Sequence, residues 1–254
     1  MTLKFYHAEP VANSLKSLIA LKEKELDFES VYVDLHKFEQ HLPWFVAINP
    51  EGQVPVLDHD GVIVTHTTVI NEYLEDAFPH APPLRPADPA GKARMRYWNK
   101  FVDEHVMNYV SMHGWHRMVS VIARSVDSND FETLMERIPL KDQRDKWRNA
   151  RSGFTAEQLA AATVKVEAAV DKVEAQLART PWLAGDSFTL ADANFFAHCG
   201  MMIARMFPEI GTQERCPRLL DWAERMRARP GVKAALAMPD HTNPALRTFT
   251  GEAR

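Results

Sequence analysis

Asn13 and Ser14 are polar residues at the predicted start of an amphipathic helix, "NSLKSLIALKEKEL". An amide or hydroxyl donor at a helix N-terminus, together with the helix dipole, can stabilise an anion such as a thiolate. The thiolate is the nucleophilic form of a thiol, whose ordinary pKa of about 8.5 keeps it mostly protonated at neutral pH. Asn and Ser are also common N-cap residues, so a purely structural role stays open. On the residues alone, the structural role is the favoured interpretation.

A proline interrupts what otherwise reads as a β-strand in "INPEGQVPVLDHDG", residues 48–61. Proline cannot donate to a strand ladder and is normally found at edges, bulges or strand starts. One interpretation is a turn over residues 49–52, after which Pro55 opens an edge strand. The alternative is a cis peptide bond before Pro55, which would turn the N–H and C=O of Val54 towards a peptide-like ligand.

A third group of candidate residues lies on or near one predicted helix: Tyr109, Met112, His113, Trp115 and His116. Such an aromatic surface suits an aromatic substrate, while burial in the core or at a dimer interface is the alternative. His113 and His116 have no acidic or thiol partner nearby in the sequence, so no metal site is predicted.

The composition narrows the class of protein. The chain has 254 residues and a net charge of −4, with both signs mixed and no basic block, so neither a nucleic acid nor an anionic membrane surface is an expected partner. No apolar run approaches the ~20 residues that span a bilayer, and the N-terminus lacks a signal-peptide pattern. Cys199 and Cys216 match no metal or redox spacing, which favours a cytoplasmic protein.

Residues 1–80 alternate between strand-like and helix-like segments. "LKFYHA" and "FESVYVDL" read as strands on either side of the first helix, and "VPVLDHDGVIV" reads as a hairpin with Asp60-Gly61 as its turn. "TTVINEYLEDAF" follows with helical spacing of its apolar residues. The order β-α-β-β-β-α predicts a small α/β domain.

The proline-rich segment "HAPPLRPADPA" predicts a linker over residues 81–91. The pattern beyond it is helical, with one long helix predicted from Trp98 to Val110. Thr189 stands three residues before Asp192 ahead of an apolar run, which is typical of a helix that begins with a capping box. Residues 92–254 are therefore predicted to form an all-α bundle.

Two motifs in this order carry a family resemblance: "NPEGQVPVL" in the first half and "WLAGDSFTLADANFF" in the second, separated by the linker. With them the chain resembles the cytosolic glutathione transferases over essentially its whole length. The resemblance implies a thioredoxin-like α/β N-terminal domain, an all-α C-terminal bundle, and glutathione as a co-substrate. It also implies that Pro55 is cis and that Val54 pairs with the cysteinyl unit of glutathione.

Further segments, among them "ANSLKSL", "KFEQH", "LRPADP" and "KDQRDKWRNARSGF", are similar to the bacterial glutathione-dependent β-aryl etherases of lignin-dimer breakdown. This similarity implies that a glutathione thiolate displaces an aryloxide from the β-carbon of an α-keto aryl ether, without a metal. The alternatives are a structural subunit of a homodimer or heterodimer with weakened glutathione binding, and a general detoxifying or dehalogenating transferase. Trp147 and Arg151 lie in the last segment and would join the acceptor-binding residues as weaker candidates.

The resemblance also assigns glutathione contacts. It makes Ser14 the first candidate for the catalytic residue that stabilises the glutathione thiolate, and Asn13 the second. Gln53, Val54 and Pro55 would contact glutathione. Lys37 and Gln40, with His41 as a weaker candidate, lie where the family binds the glycyl end.

The γ-glutamyl end departs from the family pattern, in which an acidic residue followed by Ser or Thr binds the ammonium and the carboxylate. This chain has His66-Thr67 instead. Thr67 and the helix N-terminal amides can still bind the carboxylate, but a histidine offers an ammonium at most one acceptor nitrogen. Loss of one charge-assisted hydrogen bond corresponds to roughly 1.5–3 kcal/mol, or one to two orders of magnitude in affinity. Weaker glutathione binding is therefore expected.

Overall fold

The computed structural model describes residues 2–241 and confirms an α/β half followed by a helical half. The strands are β1 Leu3–His7, β2 Glu29–Tyr32, β3 Val56–His59 and β4 Val62–Thr65, and they form one sheet in the order β2-β1-β3-β4. β1 is parallel to β2 and antiparallel to β3, which pairs antiparallel with β4. Asp60 and Gly61 have φ angles of 50° and 88°, which is the backbone that the predicted two-residue hairpin turn requires.

Three helices accompany this sheet: α1 Ala12–Glu23, the short α2 Pro43–Val46, and α3 Thr67–Ala77. Two 3-10 turns, Leu35–Lys37 and Glu39–His41, connect β2 to α2. The apolar side chains of α1, such as Leu15 and Ile19, belong to one fully buried core that also includes Phe5 of the sheet and Trp222 of the helical half. The two halves therefore share a hydrophobic core.

The second half contains ten helices within residues 2–241: α4 Pro89–His105, α5 Met107–Gly114, α6 Ser120–Ser125, α7 Ser128–Arg137, α8 Lys141–Ser152, α9 Ala156–Leu177, α10 Leu190–Phe195, α11 Ile203–Met206, α12 Pro217–Ala228 and α13 Pro230–Leu236. Two π-helical segments, Trp115–Val119 and Phe196–Gly200, interrupt the α-helical pattern. Residues 242–254 of the predicted bundle lie outside the described residues.

Helix α4 differs from the prediction at both ends. It begins at Pro89, inside the predicted linker, because Asp88 caps it by accepting the N–H of Gly91 at 2.8 Å. The single long helix predicted through Val110 is wrong, since Val106 leaves the helical region with a φ of −120° and divides it into α4 and α5. Residues 81–88 remain without helix or strand.

The predicted capping box at the start of α10 is confirmed. Thr189 and Asp192 cap each other, and the fully buried Asp192 carboxylate accepts the N–H groups of Thr189 and Leu183, both at 2.9 Å. The indole N–H of Trp222 donates to the same carboxylate at 3.0 Å. This network fixes α10 and the π-helical segment that follows it.

A second apolar cluster joins the halves near the connection between β2 and α2. Phe38, in the left-handed region with a φ of 58°, packs with its ring centroid 4.6 Å from that of Trp147 in α8. Helices α6 to α8 thus hold the segment that carries Lys37 and Gln40. Among the described residues, no helix is long and apolar enough to cross a membrane.

Candidate active site

A cavity of about 370 Å³ lies between the two halves of the chain. The first half contributes Asn13 and Lys16 of α1, residues from the 49–55 segment, and residues 65–69 around the start of α3. The second half contributes Asp103 of α4 and Met107 of α5. The cavity thus collects polar side chains from four separate parts of the sequence.

The segment before β3 presents an unpaired piece of backbone to this cavity. The Val54–Pro55 peptide bond is cis, which confirms that prediction. Asn49 holds the segment, because its Nδ2 donates to the carbonyl of Gln53 at 2.7 Å and its Oδ1 accepts the N–H of Glu51 at 3.1 Å. The N–H and C=O of Val54 make no hydrogen bond to other described residues, so both are available to an extended peptide.

The two candidate catalytic residues occupy different environments. Helix α1 begins at Ala12 with Val11 as its N-cap, so the interpretation of Asn13 and Ser14 as ordinary N-caps is wrong. Ser14 is 3% exposed, lies outside the cavity lining, and its Oγ accepts the N–H of Ala8 at 3.1 Å. Asn13 lines the cavity. Of the two residues, Asn13 alone has a place in the cavity lining, and the catalytic role of both residues stays a prediction.

His198 orients the Asn13 side chain. Its Nε2 lies 3.1 Å from Asn13 Oδ1, and it belongs to the π-helical segment Phe196–Gly200. Burial, reinforced by the charge of Lys16, holds the pKa of His198 well below its usual range, so the ring is neutral at neutral pH. A neutral Nε2–H donating to Oδ1 leaves the Asn13 Nδ2 group free to donate elsewhere.

Lys16 places a buried positive charge beneath the cavity. Its side chain is 2% exposed, and its Nζ donates to Asp103 Oδ1 at 2.9 Å and to Thr67 Oγ1 at 3.2 Å. The hydroxyl of Thr68 donates to the other oxygen of Asp103 at 2.7 Å. Burial lowers the pKa of Lys16, and the Asp103 carboxylate opposes that shift. This network connects α1, α3 and α4.

The first turn of α3 also opens on the cavity. His66 is the N-cap residue, with a φ of 63°, and Thr67 is 8% exposed. His66 Nε2 lies 3.4 Å from Glu51 Oε2, so an acidic side chain from the cis-proline segment stands beside the residue that departs from the family pattern.

The predicted glycyl-end residues lie outside the lining of this cavity. Lys37 is exposed and pairs with Asp34 at 3.1 Å. Gln40 is 6% exposed, and its Nε2 lies 3.2 Å from Nε2 of His41. Burial lowers the pKa of His41 to about 4. Their role in binding stays a prediction.

The predicted acceptor residues do not meet at one place, and none of them lines the cavity: Tyr109, Met112, His113, Trp115, His116 and Trp147. Because a helix turns once in about 3.6 residues, side chains at consecutive positions project from different sides of it. The π-helical segment that begins at residue 115 changes these directions further. Tyr109 lines a second cavity, of about 520 Å³, between α4 and α9. Met112 is half-buried on α5.

The remaining acceptor candidates pack inside the helical half. His113 is buried with its ring centroid 4.8 Å from that of Phe207. Trp115 and Trp147 have ring centroids 5.3 Å apart in the cluster that holds Phe38, while His116 faces the ring of Phe154 at 6.4 Å. Arg151, the weaker candidate, donates to the carbonyls of Ala123 and Val126.

Two residues that line the cavity, Lys16 and Asp103, and one that contacts the lining residue Asn13, His198, were missed by the sequence analysis. Lys16 has a visible signal, since it lies one helix turn before the apolar residues Ile19 and Ala20. Asp103 and His198 have none, because each meets α1 only through packing between the two halves. Among residues 2–241, no group of three or more His, Cys, Asp or Glu side chains is placed to hold a metal ion.

A four-stranded mixed sheet with a cis-proline segment, followed by a helical half, is the fold of the glutathione transferases. The N-terminal domain family of glutathione S-transferases matches residues 1–76, and the C-terminal domain family matches residues 156–225. Glutathione S-transferase 3 of Zea mays is 31% identical over 92% of this chain and 93% of its own. The chain therefore belongs to the glutathione S-transferase family.

Protein LigF of Sphingobium sp. is more similar. It is 45% identical over 237 residues, which is 92% of both chains. The crystal structure of beta-etherase LigF from strain SYK-6 matches with a TM-score of 0.89 over 92% of this chain and 98% of that one. A glutathione transferase homologue from Sulfitobacter, solved with bound glutathione, matches with a TM-score of 0.66 at 25% identity over 92% of this chain.

Proposed function

We propose that this protein is a glutathione-dependent β-aryl etherase. Its substrate is a lignin-derived aryl ether that carries a ketone next to the ether-bearing carbon. The glutathione thiolate attacks that carbon and forms a C–S bond, while the C–O bond breaks and the aryloxide leaves with the electron pair. The thiol proton is released when the thiolate forms, and the aryloxide takes up a proton from water. Glutathione is consumed as a co-substrate.

The observation that carries this proposal is the similarity to beta-etherase LigF, at 45% identity over 92% of both chains and with a TM-score of 0.89. A fold alone would not support a substrate, because proteins with the same fold differ in function. Similarity at this level, over nearly the full length of both chains, supports a shared reaction class.

The cavity offers the groups that such a reaction needs. Asn13 Nδ2 donates to the thiolate and lowers the pKa of the thiol, and the backbone of Val54 pairs with the cysteinyl unit. Thr67 and the first-turn amides of α3 bind the γ-glutamyl carboxylate. The enzyme's contribution is to produce the thiolate at neutral pH and to align it for attack.

The subunit arrangement and location belong to the same proposal. The first half, up to residue 80, forms the glutathione domain, residues 81–88 form the link, and the helical half from Pro89 onwards forms the acceptor domain. The protein acts in the cytoplasm as a homodimer or as a heterodimer with a related subunit. Exposed apolar residues on β4 and α3 support a dimer: Val62 at 54%, Ile63 at 41% and Val69 at 55%.

The test begins with calorimetric titration of the purified protein with glutathione at neutral pH. Binding in the micromolar to low-millimolar range, followed by turnover of an α-keto β-aryl ether to a glutathione thioether detected by mass spectrometry, is the expected result. Thioether formation from chlorinated acceptors without ether cleavage would instead assign a general dehalogenating transferase.

A second candidate function rests on His66, which stands where the family carries an acid. In that case the chain is the structural subunit of a heterodimer and binds glutathione poorly by itself. No binding at several millimolar glutathione would rule out an etherase that acts alone. Activity restored by a co-purified related subunit would then establish the structural role.

A further inference from the structure

At the start of α3, a histidine replaces the acidic residue of the family pattern, and a glutamate from another segment lies next to it. His66 is the N-cap of α3 but makes no side-chain cap hydrogen bond, and its side chain is 60% exposed. An amino-acid ligand carries its ammonium on the same carbon as its carboxylate. If α3 binds the carboxylate, the partner of the ammonium must therefore lie within a few ångströms of residues 66–67.

Two carboxylates among the described residues line the cavity, and they differ in how many hydrogen-bond donors they already have. Asp103 uses Oδ1 for Lys16 and Oδ2 for the Thr68 hydroxyl, so both oxygens already have donors. Glu51 contacts His66 through Oε2 at 3.4 Å, and its side chain has no other hydrogen bond or ion pair within residues 2–241. Glu51 is thus the carboxylate with acceptor capacity to spare.

The position of Glu51 is fixed by its backbone. Asn49 is 3% exposed, accepts the N–H of Glu51 at 3.1 Å, and donates to the carbonyl of Gln53 at 2.7 Å. Both bonds lie in the segment that leads to the cis-proline. The Glu51 side chain therefore starts from the same hydrogen-bonded segment as the backbone of Val54, and its Oε2 lies 3.4 Å from Nε2 of His66.

We propose that Glu51, whose side chain lies beside His66, supplies the carboxylate that binds the ammonium of the γ-glutamyl unit in this protein. This inference rests on the proposed function, since it takes glutathione as the ligand. The acidic partner is then in the cis-proline segment and not at the start of α3. The His66 substitution then changes the partner of the ammonium and does not abolish it.

The test compares glutathione with an analogue in which hydrogen replaces the γ-glutamyl amino group, glutaryl-cysteinyl-glycine, by calorimetry on the full chain. Wild type should bind glutathione about tenfold more tightly than the analogue, the lower end of the effect for a partly exposed charged pair. Glu51→Gln should lose that preference and bind the two ligands equally. Glu51→Gln/His66→Glu, which restores an acid at the start of α3, should regain it. Glu214→Gln, at an exposed site outside the cavity, should behave as wild type.

Three results would overturn the inference while leaving glutathione binding intact. The first is a wild type that does not distinguish the two ligands. The second is an equal loss for both ligands in Glu51→Gln, which would mean that Glu51 only supports the loop. The third is a preference that survives in Glu51→Gln but disappears in Asp103→Asn, which would assign the ammonium to Asp103. A wild type that binds neither ligand would remove the proposed function and this inference with it.

Discussion

Replacing His198 should raise the pKa of the glutathione thiol in the complex, although His198 itself is not expected to touch glutathione. The ring is 7% exposed, and its Nε2–H holds the amide of Asn13 through a contact of 3.1 Å. In His198→Ala the Asn13 side chain is free to rotate, and its donor no longer points reliably at the sulfur. His198→Gln keeps an N–H donor of similar reach and is the conservative comparison.

The size of the effect follows from the hydrogen bond that is lost. A hydrogen bond to a charged group contributes about 1.5–3 kcal/mol, and one pKa unit corresponds to about 1.36 kcal/mol. The bound thiol should therefore have a pKa about one to two units higher in His198→Ala than in wild type. Ether cleavage at neutral pH should fall by about 10- to 100-fold. The difference should narrow at alkaline pH, where the thiol ionises without help.

The assay is a pH titration of thiolate ultraviolet absorbance in the glutathione complex, alongside the pH profile of kcat/KM. Melting temperatures show whether each variant is folded. Because His198 acts through Asn13, the thiol pKa of Asn13→Ala/His198→Ala should equal that of Asn13→Ala alone. Additive shifts, or a normal thiol pKa in His198→Ala with lowered activity, would refute the reasoning and leave His198 a packing residue.

The remaining predictions concern stability. Asp192→Ala leaves two backbone N–H groups, the Thr189 hydroxyl and the Trp222 indole without their acceptor. The free energy of unfolding, measured by urea titration, should therefore fall by about 3–5 kcal/mol. A decrease of less than about 1 kcal/mol would contradict this account. Burial lowers the pKa of His41 to about 4, whereas an unfolded chain has a histidine pKa near 6.5. The unfolded state therefore binds the proton first, and His41 should remove up to about 3 kcal/mol of stability as the pH falls from about 6.5 to about 4. His41→Gln should make the free energy of unfolding depend less on pH than in wild type, whereas His80→Gln, at an exposed site, should not. Equal slopes of the free energy of unfolding against pH in all three proteins would contradict this prediction.

The features that the sequence predicted well depend on interactions between near neighbours. The Asp60-Gly61 turn needs two positive φ angles that these residues tolerate, and the Thr189/Asp192 capping box closes over three residues. The cis-proline prediction succeeded for a different reason. Local chemistry alone left it as one of two alternatives, and the family resemblance decided between them.

The features that the sequence did not predict depend on how the two halves pack. Lys16 and Asp103 are 87 residues apart, and Asn13 and His198 are 185 apart, so no local periodicity relates them. The different surroundings of Ser14 and Asn13 also depend on packing, because Ser14 accepts the N–H of Ala8 whereas Asn13 lines the cavity. Two neighbours on one helix turn can have opposite environments, and only the tertiary structure decides which one meets a ligand.

These contacts also mean that the glutathione end of the cavity is not a property of the first half alone. Asp103 neutralises Lys16, which has 2% of its side chain exposed, and without that partner the buried ammonium would be uncompensated. His198 orients Asn13 from the opposite side. In the proposed reaction, the helical half would therefore contribute to thiolate formation as well as to acceptor binding. Substitutions in the helical half that do not change acceptor binding should still change the pKa of the bound glutathione thiol. If only substitutions in the first half changed that pKa, this reasoning would be wrong.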